Sequence, residues 1–207
     1  MLKLLGRASI EGCNKRGPLI VISGPPGAGK STYARRLAED LGLRYYSSGV
    51  SFRALAKEMG VDVVKLNKLA ESDPRIDLEV ERRTISVACE GNIVVDSHIA
   101  AWILASRADV LVYVKAPLLV RAERIAKRDE KSLKEALDEI LEREESHWAR
   151  FKKFYGVDTL DLTIFHLIVD TSVYDVEETY RIIKTAVEAR ISKLNYKQRA
   201  SHGGEIF

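Results

Sequence analysis

The first strong apolar run along the chain is Pro18-Leu19-Ile20-Val21-Ile22-Ser23, a short β-branched stretch suited to a strand buried on both faces. A glycine-rich turn follows, and from Ser31 to Leu41 the apolar residues recur at helical spacing until Gly42 closes the pattern. Leu43-Arg44-Tyr45-Tyr46-Ser47 predicts a second short strand. From about residue 51 to 90 the pattern is helical in several pieces, broken by Gly60 and Pro74. Asn92 to Asp96 predicts a third strand that ends in a carboxylate. Asp109 to Lys115 predicts a fourth, halted by Ala116-Pro117 and followed by a helix to about Arg128. Ser132-Leu133-Lys134-Glu135 has capping-box spacing and opens a long polar helix toward Tyr155-Gly156. Phe165 to Asp170 is the fifth strand. The last helix starts near Asp175, with Glu178 three residues on, and turns Val176, Tyr180, Ile183, Val187 and Ile191 toward a core.

Five short apolar strands alternating with helices predict an α/β fold of three layers, a five-stranded parallel sheet with helices on both faces. Sheets of this kind bind ligands beyond the carboxyl ends of their strands. Residues 1–17 show no sustained period and are expected to be an N-terminal extension. Residues 18–194 make one domain, and 195–207 a polar tail.

Composition changes this picture little. A chain of 207 residues with 46% hydrophobic and 30% charged residues has the make-up of an ordinary globular protein. No apolar run is long enough for a membrane span, and the opening residues are too soon charged for a secretory leader. The net charge of +3 gathers at the two ends around a mildly acidic body, which argues against a nucleic-acid surface over the whole protein. The basic termini are expected to aid solubility; contact of these ends with nucleic acid or a ribosome is the less favoured account. Cys13 and Cys89 lack metal-ligand spacing; Cys89 is expected to be a small core hydrophobe in a monomer of the reducing cytoplasm.

Candidate chemistry starts at Gly24-Pro25-Pro26-Gly27-Ala28-Gly29-Lys30-Ser31, with Thr32 following. Glycines at this spacing let a loop turn several backbone amides onto one anion, and the helix behind adds its positive end. Lys30 can reach the β- and γ-phosphates of ATP, and the Ser31 hydroxyl suits Mg²⁺. The motif lies between a predicted strand and a predicted helix, the context this mechanism requires. Asp96, at the end of the third strand, has the placement of a Walker-B acid, suited to magnesium through water or to orienting the acceptor. No Asn-Lys-x-Asp segment for reading guanine is present.

Further along come Ser48-Gly49-Val50-Ser51-Phe52-Arg53, Asp73-Pro74-Arg75-Ile76-Asp77 and Val120-Arg121 through Lys127-Arg128. Arg143-Glu144-Glu145-Ser146, Tyr155-Gly156-Val157-Asp158 and Asp170-Thr171-Ser172 complete the series. In this order, across roughly residues 18 to 190, the segments resemble the archaeal-type cytidylate kinases. The resemblance implies the nucleoside-monophosphate kinase form of the P-loop fold, with an NMP-binding helical insert at about 48–90 and a helical lid at about 128–156. It also implies transfer of the γ-phosphate of ATP, with Mg²⁺, to CMP or dCMP.

By that resemblance Ser48, Gly49 and Arg53 meet the acceptor's phosphate, Asp77 and Arg82 belong to the segment that reads its base, Arg124 packs near the ATP base, and Arg128 reaches the phosphates. Arg143, Ser146 and Arg150 share a helix face at i, i+3 and i+7. Mobile positive charge on such a face would suit a lid, and a plain ion-paired helix with Glu139 or Glu144 as partners is the competing account. Val50, His98 and Trp148 depart from the family pattern as the resemblance has it. The segment Asp96-Ser97-His98 also resembles adenylate-kinase-like ATPases of ribosome assembly, which is the alternative reading, together with kinases that accept UMP or AMP.

Overall fold

The computed structural model describes residues 15–202, with side chains described as far as Leu194. Five strands, β1 (Leu19–Ser23), β2 (Arg44–Ser47), β3 (Ile93–Asp96), β4 (Val110–Lys115) and β5 (Leu167–Asp170), form one parallel sheet in the order β2-β3-β1-β4-β5. β1 is fully buried, and its side chains alternate between two cores. Leu19 and Val21 face Ile85 and Ala88 of α4 (Pro74–Glu90) and Ile103 of the short α5 (Ala100–Ile103). Ile20 and Ile22 face Tyr33 and Leu37 of α1 (Lys30–Asp40) together with Tyr180, Ile183 and Val187 of α8 (Val176–His202). The sheet is thus the middle of three layers.

Two helical units project from this body and carry small cores of their own. Between β2 and β3, α2 (Ser48–Glu58), α3 (Val63–Ser72) and α4 pack through Leu55, Leu66, Ala70, Ile76 and Val80. Between β4 and β5, α6 (Leu118–Asp129) and α7 (Leu133–Arg150) pack through Ala122, Ile125, Ala136 and Ile140. Local chemistry sets the helix starts. Asp62 caps α3, Asp73 caps α4 with Pro74 in its first turn, and Ser132 with Glu135 closes a complete capping box on α7. Asp175 and Glu178 exchange the same pair of hydrogen bonds, 2.7 and 3.1 Å, ahead of α8.

Several boundaries differ from the sequence expectations. β2 runs straight into α2, so the helical stretch begins at Ser48, ahead of the expected start near residue 51. The stretch 15–17, expected within the extension, is docked on the domain: Lys15 pairs with Asp109, and the Arg16 amide bonds the Glu90 carbonyl at 3.2 Å. Residues 1–14 of the expected extension lie outside the described residues. At the other end α8 continues to His202, through most of the segment expected to be a tail; residues 203–207 lie outside the described residues. Val176 is exposed because it opens α8 ahead of the turn that reaches the core. α7 passes into a π-helical turn, Phe151–Tyr155, that returns Phe151 and Tyr155 to the core. Cys89 packs against that core as expected but is disulfide-bonded, so it is not a free thiol. No described helix is long and apolar enough to cross a membrane.

Candidate phosphate site between the sheet and the helix pair

β1 lies between β3 and β4, so the loop that leaves it, Gly24 to Gly29, emerges at the crevice where the strand order reverses. Three positions in it admit no side chain, and at Gly24, φ +153°, a Cβ would stand 2.1 Å from the Val114 carbonyl. Gly27 has φ +78°, and a Cβ there would stand 2.7 Å from the Arg121 carbonyl; Gly29 has φ +91° and would press on the Tyr33 ring. The loop ends on the first turn of α1, whose opening amides have no carbonyl four residues back within the helix. Pro25, Pro26 and Ala28 shape the same bend, with the Ala28 amide on the Pro25 carbonyl at 3.3 Å.

Lys30 lies inside this bend, only 8% exposed, its Nζ donating to the Pro25 carbonyl at 2.9 Å. Burial lowers its pKa to about 8; Asp96 opposes that shift, and Arg143 and Arg121 add to it. Ser31 and Thr32 are exposed at the helix start, and the Ser31 hydroxyl donates to Asp96 Oδ2 at 2.5 Å. The Tyr45 hydroxyl donates to the same oxygen at 3.1 Å, so Asp96 is held from both neighbouring elements. A serine hydroxyl and a carboxylate side by side are hard oxygen donors of the kind Mg²⁺ takes, so this pair could hold the ion.

Behind the loop, α6 supplies two arginines. Arg121 is buried, bonding the carbonyls of Ala116 (3.0 Å) and Pro26 (3.1 Å) and pairing with Glu144 of α7 at 2.6 Å. Sequence reasoning passed it over, although Arg121, Arg124 and Arg128 share one helix face at i, i+3 and i+7. Arg124 crosses from the Thr171 carbonyl (2.7 Å) and hydroxyl (2.8 Å) toward Gly27, joining the loop to the end of β5. Arg128 does not converge with them. It is exposed, and Asp129 holds its guanidinium at 2.6 and 2.7 Å.

On α7, the expected face divides between two tasks. Arg143, half-buried, acts electrostatically on Lys30 and contacts Glu139 only at 3.3 Å. Ser146 and Arg150 dock instead on the helices between β2 and β3. Arg150, 2% exposed, pairs with Asp77 at 3.0 Å and donates to Asn67 at 3.0 Å. Asp77 and Arg82 do not face the same way, because residues five apart on a helix point about 140° from each other. Asp77 is buried, and Arg82 is on the exposed side of α4. Glu81, one turn beyond Asp77 and missed in the sequence reading, is the group that shares its face. The spacing i, i+4 was the available signal.

The Asp77 Oδ2, Glu81 Oε2 and Tyr155 hydroxyl atoms are buried with no hydrogen-bond partner among the described residues. Burial raises Asp77 to about 6 against the pull of Arg150; burial, then the Asp77 charge, raises Glu81 to about 8. Near neutral pH Arg150, Asp77 and Glu81 therefore hold one positive charge, one negative charge and one proton. A raised carboxyl keeps its proton in the folded chain after the unfolded chain has lost it, so Glu81 makes stability fall as pH rises from about 4.5 to about 8. Glu81→Gln is expected to flatten this slope, melting above the native protein at pH 8.5 and close to it at pH 4.5, as followed by thermal unfolding. At the carboxyl end of β2, Ser48 is buried, Gly49 half-buried, and Arg53 exposed with no ion pair among the described residues.

A sheet with β1 between β3 and β4, a phosphate loop leaving its central strand and helices of the same chain closing over that loop has the architecture of a small P-loop kinase. The Thermus thermophilus protein TT1252 shares this fold, with a TM-score of 0.55 and 22% identity over 84% of this chain and 98% of that one. So does an uncharacterized protein from Eubacterium ventriosum, at TM-score 0.57 and 16% identity over 83% and 98% of the two chains. The chain belongs to the cytidylate kinase-like family, whose sequence model matches residues 19–173. Relatives named cytidylate kinase include that of Aeropyrum pernix, 58% identical over 82% of this chain and 99% of its own length. Those of Ignicoccus hospitalis and Staphylothermus marinus are 51% and 46% identical, over 80% and 82% of this chain and 96% of each relative.

Proposed function

We propose that this chain transfers the γ-phosphoryl group of ATP to CMP or dCMP, giving ADP and CDP or dCDP. The observation that carries the reading is the buried, cation-lined loop after β1, faced by α7 of the same chain, in a member of a family whose named relatives are cytidylate kinases. In this reading the amides of residues 24–32 and the Lys30 ammonium bind the β- and γ-phosphates. Ser31 and Asp96 would hold Mg²⁺, which when bound neutralises charge shared by those phosphates. Arg124 packs beneath the ATP base. Arg143 brings positive charge from the lid (α6 and α7), and Arg121 keeps the loop in shape from behind. Arg128 is assigned no phosphate contact while Asp129 holds it. Chemistry of this kind is positioning and charge neutralisation, and needs no covalent intermediate.

The acceptor is assigned to the insert, α2 to α4. Arg53, exposed and without an ion pair among the described residues, has its guanidinium fork free for the acceptor's phosphate, beside Ser48 and Gly49. Asp77 and Glu81 suit the base. A carboxylate and a protonated carboxyl together offer one acceptor and one donor, matching the amino group and ring nitrogen of cytosine, whereas uracil presents these in the opposite order. Arg150, by pairing with Asp77, keeps the charge there and the proton on Glu81. Both halves of the site come from one chain, which supports action as a monomer, and its substrates support a cytoplasmic setting. Arg53→Ala is expected to raise KM for CMP at least tenfold more than KM for ATP, since only the acceptor loses a bidentate contact. Equal rises in both constants would remove Arg53 from the acceptor site.

A further inference from the structure

His98 and His147 face each other across the mouth of the phosphate loop. His98 follows β3 two residues after Asp96, and His147 lies on α7; their ring centroids are 4.9 Å apart. His147 is stacked on Phe151 at 5.2 Å and 13°, which fixes its plane, and it makes no hydrogen bond among the described residues. Both residues are half-buried, and the His98 ring is hydrogen-bonded to the Gly24 backbone. The charged groups acting on them are all cations: Lys30 of α1 and Arg143 of α7 on both rings, and Arg150 of α7 on His147. These cations have carboxylate partners of their own, Asp96 beside Lys30, Glu139 beside Arg143 and Asp77 beside Arg150, but no carboxylate acts on either ring, so the space at the rings favours an anion.

We propose that His147 is a catalytic residue of the lid, donating an imidazole N–H to the phosphoryl group as it passes between Lys30 and Arg143, with the His98 ring packed against it. The inference rests on the phosphotransfer reading above and assigns that reaction one further group. The His147 ring gives up no proton: burial, then Arg150, lower its pKa and keep it neutral. A neutral imidazole still carries one N–H, and a fixed, partly desolvated donor aimed at developing negative charge is worth most in the transition state. The stacking on Phe151 and the partner ring of His98 supply that fixity.

The test compares native protein, His147→Phe and His147→Gln with ATP-Mg²⁺ and CMP. Phenylalanine keeps the stack on Phe151 and has no donor; glutamine restores an N–H without a ring. His147→Phe is expected to lose about 10²-fold in kcat, with both KM values changed by less than about threefold, and His147→Gln to recover at least about tenfold of that loss. In native protein, the imidazole ¹⁵N resonances of His147 are expected to shift on adding CMP with a non-hydrolysable ATP analogue. A fully active His147→Phe with active native protein would overturn this inference alone, as would unshifted resonances. Glutamine and phenylalanine variants equally slow, and both melting lower, would make the residue structural. A native protein that forms no CDP would overturn the phosphotransfer reading and this inference with it.

Discussion

Lys30→Ala lowers kcat about 10²–10³-fold, the cost of roughly 3–4 kcal/mol expected when one fixed donor is taken from a developing anion. The loss falls on chemistry because Lys30 is the cation enclosed by the loop itself, held by the Pro25 carbonyl with Asp96 and Arg143 near it. The fold is expected to survive. Burial already disfavours the charged amine, as its lowered pKa of about 8 records, and removing it relieves repulsion from Arg143 and Arg121. A near-native melting temperature with a collapse in turnover is the expected pair of results, read by thermal unfolding and a coupled ADP assay. Near-native turnover would take the loop out of the mechanism.

Arg150→Ala has the largest expected effect on stability. The pair with Asp77 joins α7 to α4 with both side chains almost fully buried, and truncating one partner of such a pair costs about 3–5 kcal/mol because the other charge is left in a dry site. The sign with pH follows from Asp77. Its carboxyl is already raised to about 6 with Arg150 present, and without that opposing charge it rises further. Below the unfolded value Asp77 is protonated in both states and the variant loses little. Up to about 6 Asp77 keeps its proton in both folded proteins and the deficit stays level; above about 6 the native carboxyl ionises against Arg150 while the variant must keep its proton, and the loss grows. Urea unfolding at pH 4.5 and pH 8 should therefore give a much larger deficit at pH 8. An equal deficit at both would mean that packing, not charge, sets the cost.

The body of the fold was legible because its signals are local. The run from Leu19 to Ser23, the glycine spacing after it, and the capping boxes at Ser132 and Asp175 each state an element and its boundary without reference to the rest. Membership of the P-loop class was legible for the same reason, and the ordered later segments carried the family. What depends on docking was not. Arg121, Arg124 and Arg128 look alike along α6, and only the approach of α7 through Glu144 buries the first, while the neighbouring Asp129 takes the last. The segment carrying Asp77 was visible, but its rotation was not. Pro74 fixes the start of α4, and counting from it would have turned Glu81 inward and Arg82 outward. The meeting of Arg150 with Asp77, and of His147 with His98, joins residues far apart in the chain through a helix whose position no local pattern gives.

The central claim is that phosphate leaves ATP for a cytidine monophosphate held in the same chain. Following γ-labelled ATP with Mg²⁺ and CMP tests it most directly. The account predicts that the label appears in CDP in step with ADP, and at far lower rates with UMP or AMP as acceptor. Label found in inorganic phosphate, with no diphosphate formed from any acceptor, would contradict it.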